Sequence, residues 1–211
     1  MSRKIKENIT KEMERIAEVL KRIEEDKDVT LKLIREIIAC SSRSIEASKR
    51  GDKEKAETYL EKAKRNLIKC YEIIKQNKYG YKLLNIIADG EKEFVEATFT
   101  LSLMFDKDYQ EILKDLEIDP YSKLLGILEF SGEVRRIFIE KLLNEEIQEA
   151  RKLIDLLDKI YQEIVCRDIR YSLVPGLKRR LDILRNQIEK CLEDLNLALR
   201  SPRKVKDERE D

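Results

Sequence analysis

The stretch FVEATFTLSLMF, residues 94–105, carries a single ionisable group, Glu96. The stretch LLGILEFSGEV, residues 124–134, carries only Glu129 and Glu133. Elsewhere a charge falls every two or three residues. Both stretches therefore read as helices buried over most of their circumference, inside a bundle or an oligomer. A chain that spends its charge this way is helical, and the rest of the sequence agrees.

The six glycines and three prolines sit mostly where helices should end or approach closely. The pattern predicts helices over 4–25 and 30–49, with Gly51 as the cap of the second. Asp52 is a good N-cap for a helix reaching 76. A turn follows at 77–80, then a helix over 81–104 with Gly90 inside it or at a break. Asp106, Lys107 and Asp108 open a short connecting helix that ends near 119–120. Two further helices span 121–143 and 145–165. Residues 172–176 form a loop, with Pro175 suited to the first turn of a last helix that runs to 199. The expectation is an all-α antiparallel helical bundle of about seven helices, with the Leu, Ile and Phe stripes as core. Residues 1–200 read as a single domain and 201–211 as a charged, disordered tail.

Composition narrows the function. The chain has 211 residues, 42% hydrophobic and 41% charged, with a net charge of +1. It has too much apolar content for a disordered chain and too much charge for a membrane protein. No run approaches the roughly 18 apolar residues of a membrane span. Met1-Ser2-Arg3-Lys4 leads straight into a charged amphipathic stretch, so no signal peptide is expected and the location predicted is cytoplasmic. Without a global basic field, a nucleic-acid partner would have to be held by local patches. Histidine is absent, which removes Ser-His and Cys-His catalysis. Cys40, Cys70, Cys166 and Cys191 are far apart and read as reduced thiols rather than zinc ligands. Hydrolysis, if the chain performs it, must use carboxylates, lysines or a metal on oxygen ligands.

Glu93 and Glu96 are three apart and share a helix face, and Glu129 and Glu133 are four apart and do likewise. A carboxylate in an apolar setting costs several kcal/mol unless it is paired, protonated or metal-bound. Packed face to face, the two helices would gather four carboxylates into a hard-oxygen site suited to Mg²⁺ or Mn²⁺. The same residues could instead be neutralised in a buried glutamate–arginine network, and Arg135 and Arg136 are close enough in sequence to supply it. Gly126 and Gly132 lie within the second helix and read as points of close packing. Lys178, Arg179, Arg180 and Arg185 form a basic run near the start of the last helix, either a solvated face or a phosphate contact.

These residues resemble the translin family. GEKEFVEA at 90–97 is similar to the G-x-x-E-F-V-E-A helix of translin-associated factor X. LLGILEFSGE at 124–133 is similar to that branch's LLG-x-x-D-L-T-G-E helix. LKRRLDILRNQIEKCLEDL at 177–195 resembles the closing helix of translin and its partner. The likeness covers roughly residues 31–199 and is weak before about residue 87. It implies an all-α fold assembled into hollow, octamer-like homo-oligomers that bind single-stranded RNA or DNA. Translin itself lacks the acidic set, whereas the associated factor is its Mg²⁺-dependent endoribonuclease partner. That branch's catalytic carboxylates fall here on Glu93, Glu96 and Glu129, which would hold the metal, with Glu133 close by. Arg136 matches a basic position of both branches, and Arg135, Arg179, Arg180 and Arg185 are the further candidates for nucleic acid. Two positions depart from the pattern: Glu129 stands where the branch has Asp, and Ser122-Lys123 stand where it has Asp-Tyr. The competing readings are a translin-like binder without activity and a helical assembly scaffold whose glutamates pair with arginines.

Overall fold

We describe the fold from a computed structural model, which covers residues 3–200. Among these residues the regular structure is entirely helical. The chain divides into two compact units, the first ending at Gly126 and the second beginning at Ile127. The division falls inside one continuous helix.

The first unit opens with α1, Arg3–Lys49. The sequence predicts two helices here, with a break around Asp26-Lys27-Asp28, but the helix runs through. No glycine or proline interrupts it, and the Thr30 hydroxyl donates to the Asp26 carbonyl (2.8 Å) instead of capping a new helix. Gly51, at φ +75°, ends α1, and the Asp52 amide donates to the Ala47 carbonyl (2.9 Å) across the turn. The Asp52 carboxylate then accepts from the Lys55 amide and starts α2, Lys53–Gln76. A 3₁₀ turn, Gly80–Leu83, leads into α3, Leu84–Phe105, so the fourth helix begins three residues later than predicted, with Gly90 inside it. The left-handed Asp106 ends α3. Asp108 caps the short α4, Tyr109–Leu113. Asp119 accepts from the Tyr121 and Ser122 amides and starts α5, Pro120–Leu143, with Pro120 in the first helical position.

Helices α1, α2 and α3 pack on one another. Ile37, Leu67, Ile87, Phe94 and Leu101 are fully enclosed in this unit. Burying a side chain of this size contributes about 1.5–3 kcal/mol. The first half of α1 departs from the expected core. Ile5, Ile9, Met13 and Leu20 are 47%, 55%, 53% and 56% exposed. That apolar stripe has the helical spacing of a core face but projects past the end of α2, where the C-capping Asn77 meets Asp26.

The second unit holds the rest of α5, then α6, Ile147–Val165, and α7, Leu177–Arg200. Val134 and Phe138 of α5, Leu157 of α6, and Leu181 and Leu184 of α7 are its enclosed side chains. Gly176, at φ +80°, separates Pro175 from α7, so Pro175 precedes the helix rather than opening it. Cys70 and Cys191 are buried, and burial pushes their thiols up to about 12 and about 11, which keeps both protonated and inert. No described helix is long and apolar enough to cross a membrane. The expected disordered tail at 201–211 lies outside the described residues.

Candidate functional site

Helix α3 places Phe94, Val95, Ala97 and Thr98 inward, which leaves Glu93 and Glu96 half-buried on its flank. Each offers a carboxylate oxygen within 4.8 Å of the other's. Lys92 sits beside them, with its Nζ 3.7 Å from Glu93 Oε1 and 4.0 Å from Asp89 Oδ1.

Gly126 sets how closely α5 can pass α3. A Cβ built there would lie 2.6 Å from the Lys92 carbonyl oxygen and 2.6 Å from Val95 Cβ. Any larger side chain would push the two backbones apart. The packing role expected for Gly126 therefore holds. Gly132 differs, since a Cβ there would meet nothing within 4 Å. Val95 lies between Glu93 and Glu96, and Glu129 follows Gly126 by one turn along the same face of α5.

In the second unit, each α5 carboxylate takes an arginine. Arg180 Nη1 of α7 donates to Glu129 Oε1 at 3.3 Å. Glu133, only 4% exposed, is bonded by Arg136 Nη1 one turn along. Arg136 itself is exposed and can turn toward a ligand. Arg135 reaches α7, with Nη1 3.5 Å from the Gln187 carbonyl and Nη2 3.8 Å from Asp194 Oδ2. Lys178 and Arg179 are exposed, and Arg185 pairs loosely with Glu189 at 3.9 Å. Of the basic run, only Arg180 stands against a predicted acidic site residue in these pairs.

Sequence reading misses Glu91. It lies in a charge-rich run, yet it is 4% exposed and accepts from the Tyr71 hydroxyl at 2.6 Å and from the Asp119 amide at 3.4 Å, both through Oε1. Burial and the neighbouring Glu91 carboxylate raise the Tyr71 hydroxyl well above its ordinary range, so it stays a donor. The available signal was spacing, since Glu91 shares the i, i+3, i+4, i+7 face of Phe94, Val95 and Thr98.

Comparison with known proteins sets this geometry in context. The chain aligns with AfC3PO, seen in a complex with duplex RNA, at a TM-score of 0.77 and 28% identity over 89% of this chain and 96% of that one. The crystal structure of AfC3PO matches at a TM-score of 0.76 and 28% identity, over 89% of this chain and 97% of that one. Its structural kin are the C3PO proteins of the translin family. Apo-NeC3PO shares the C3PO fold at a TM-score of 0.76 and 22% identity, over 88% and 96% of the two chains. The uncharacterized protein MJ0175 of Methanocaldococcus jannaschii is 28% identical over 125 residues, which are 56% of this chain and 55% of that protein. The chain thus spans about half the length of this relative. No protein-family model matches the sequence. The all-α, translin-like fold expected from the motifs on α3, α5 and α7 is the one observed, and it matches the all-helical C3PO fold.

Proposed function

We propose that the chain is a Mg²⁺-dependent endoribonuclease that binds and cuts single-stranded RNA inside a hollow homo-oligomer, an octamer by analogy with the family. The observation that carries this reading is the pair Glu93 and Glu96 on α3, half-buried carboxylates of the kind a hard divalent cation takes, to which we add the half-buried Glu129 of α5. The Gly126 crossing supports it, because it fixes the approach of α5 to the segment of α3 that bears Glu93 and Glu96. The three carboxylates fit Mg²⁺, or Mn²⁺ in its place, better than zinc, which takes nitrogen and sulfur ligands. When bound, such an ion supplies Lewis-acid charge to the phosphodiester and acidifies a water.

The chain's own groups do the rest. Glu133, held by Arg136, orients the attacking water through its carboxylate. Arg180 exchanges its bond to Glu129 for a phosphate oxygen, and Arg135, Arg136, Arg179 and Arg185 add phosphate contacts that hold the strand in register. Histidine has no part in this chemistry. Because AfC3PO is seen with duplex RNA, duplex RNA is a second candidate substrate alongside single strands, with single-stranded DNA a weaker one.

The Glu129–Arg180 and Glu133–Arg136 pairs favour one alternative, a binder or scaffold in which arginines neutralise the acids. The deciding assay is cleavage of labelled single-stranded and duplex RNA, with Mg²⁺ or EDTA, by wild type and Glu129→Ala. Cutting that needs Mg²⁺ and disappears in the variant is expected. Binding without cutting, equal in both proteins, would leave a binder; no binding at all would leave the scaffold.

A further inference from the structure

One seam runs the length of α1, and only half of it is used by the chain itself. From Lys6 it passes through Ile9, Met13, Ile16, Leu20 and Ile23 in alternating steps of three and four residues. That alternation is the narrow stripe of a coiled coil rather than the broad apolar face of an ordinary core helix. Continued past Lys27 at the same steps, it reaches Thr30, Ile34, Ile37, Ser41, Ser44 and Ser48, all of them buried where α2 and α3 pack on α1. Along the first half the same seam is bare, and every residue from 5 to 22 is exposed around the whole helix. The bare half is roughly 26 Å long. At its base, Ile16, Val19, Leu20 and Ile23 help to line a notch of about 350 Å³ with Tyr79 and Lys82.

The residues after α7 do not supply the missing cover, since Val205 is the one branched aliphatic side chain in 201–211. The stripe fits a second copy of itself. Charge is graded along it: residues 3–11 hold four basic residues and one acid, and residues 24–28 hold four acids and one lysine. Two such segments laid antiparallel set the basic end of each against the acidic stretch of the other, whereas laid parallel they set like against like. The helix dipole adds to this, because cations are disfavoured near a helix N-terminus and α1 has no acid in its first turn. The seam also fixes a register. With Met13 of one copy beside Ile16 of the other, Ile9 meets Leu20, and Lys6 lies on the seam within reach of Glu24. A single lysine at such a position specifies register in a coiled coil.

We propose that the bare half of α1 pairs antiparallel with the same segment of a second copy of this chain, through Ile9, Met13, Ile16 and Leu20, with Ile9 of each copy seated at the notch beside Tyr79 of the other. The contact is two-fold and self-complementary, so it closes on two copies and does not propagate. It rests on the homo-oligomer of the reading above and names one contact that joins its copies; it needs neither metal nor RNA cleavage.

Sedimentation equilibrium of the full-length protein, wild type against Ile9→Glu with Ile16→Glu, tests this. Both positions are exposed in the single chain, so the substitutions leave its core intact, and the variant's assembly mass should fall at least twofold. Oxidative crosslinking then reads the register. In a Cys166→Ser background, which removes the exposed thiol, Ile9→Cys combined with Leu20→Cys should give covalent dimers. Either substitution alone should not, because copies of one position then lie about 16 Å apart along the seam. An oligomer of unchanged mass in the glutamate variant would overturn the proposal and leave the homo-oligomer standing, and so would crosslinking by Ile9→Cys alone. A monomeric wild type would overturn both.

Discussion

The two helices that carry the candidate acids set them in different surroundings. On α5, Glu129 and Glu133 each take a guanidinium, from Arg180 and Arg136. On α3, Glu93 and Glu96 hold carboxylate oxygens within 4.8 Å of one another, like charge beside like, with Lys92 on one side. At an effective dielectric of about 20, two unit charges at that separation repel by roughly 3 kcal/mol. A divalent cation of the kind proposed above would turn that repulsion into coordination. Sequence spacing alone does not separate the two cases, since i, i+3 and i, i+4 glutamates look alike until their neighbours are known.

Substitutions that remove charge without changing shape should break this contrast most sharply. Glu93→Gln or Glu96→Gln should lower Mg²⁺-dependent RNA cleavage by at least about a hundredfold, more than the loss of a group behind a metal ligand causes. Thermal unfolding of the same variants in EDTA should show stability unchanged or raised, because a repulsion has been removed. Glu133→Gln should instead lower stability slightly, by up to about 1 kcal/mol, because its arginine partner is solvent-exposed. A stability loss in the α3 variants equal to that of Glu133→Gln would erase the distinction.

The next largest effect concerns how α5 meets α3. Gly126→Ala puts a methyl group 2.6 Å from the Lys92 carbonyl oxygen. The backbones must separate, which should cost about 1–3 kcal/mol in denaturant unfolding. The same change at Gly132 meets open space and should leave stability level or raise it by several tenths of a kcal/mol through helix propensity. Equal effects at the two glycines would contradict the packing role given to Gly126. The smallest effect belongs to the basic side of the comparison. Arg180→Gln should weaken RNA binding several-fold and reduce the slope of log Kd against log salt by about one, as read by fluorescence anisotropy across a salt series. An unchanged slope would confine Arg180 to its bond with Glu129.

Much of this was legible in the residues. Two charge-poor windows mark α3 and α5, and Gly51, Asp52 and Asp108 mark the end of α1 and the starts of α2 and α4, because capping is local chemistry. What escaped depends on neighbours far along the chain. Asp26-Lys27-Asp28 looks like a break, yet nothing in it stops a helix, and α1 continues through it. The stripe from Ile5 to Leu20 has core spacing but is exposed, because periodicity reports a face and not what covers it. Glu91 is hidden by the charges around it until Tyr71 and Asp119 fold over it. At the site, residue identities and shared faces could be read from spacing. The arginine that Glu129 takes could not, because Arg180 comes to it from another helix.

The central claim is that the α3 pair and Glu129 hold one divalent ion, and Mn²⁺ titration followed by electron paramagnetic resonance tests it most directly. The account predicts one tight Mn²⁺ per wild-type chain, displaced by Mg²⁺, and lost in both Glu96→Gln and Glu129→Gln while Arg180→Gln retains it. Wild-type protein that binds no Mn²⁺, or a Glu129→Gln variant that binds it as wild type does, would contradict the account.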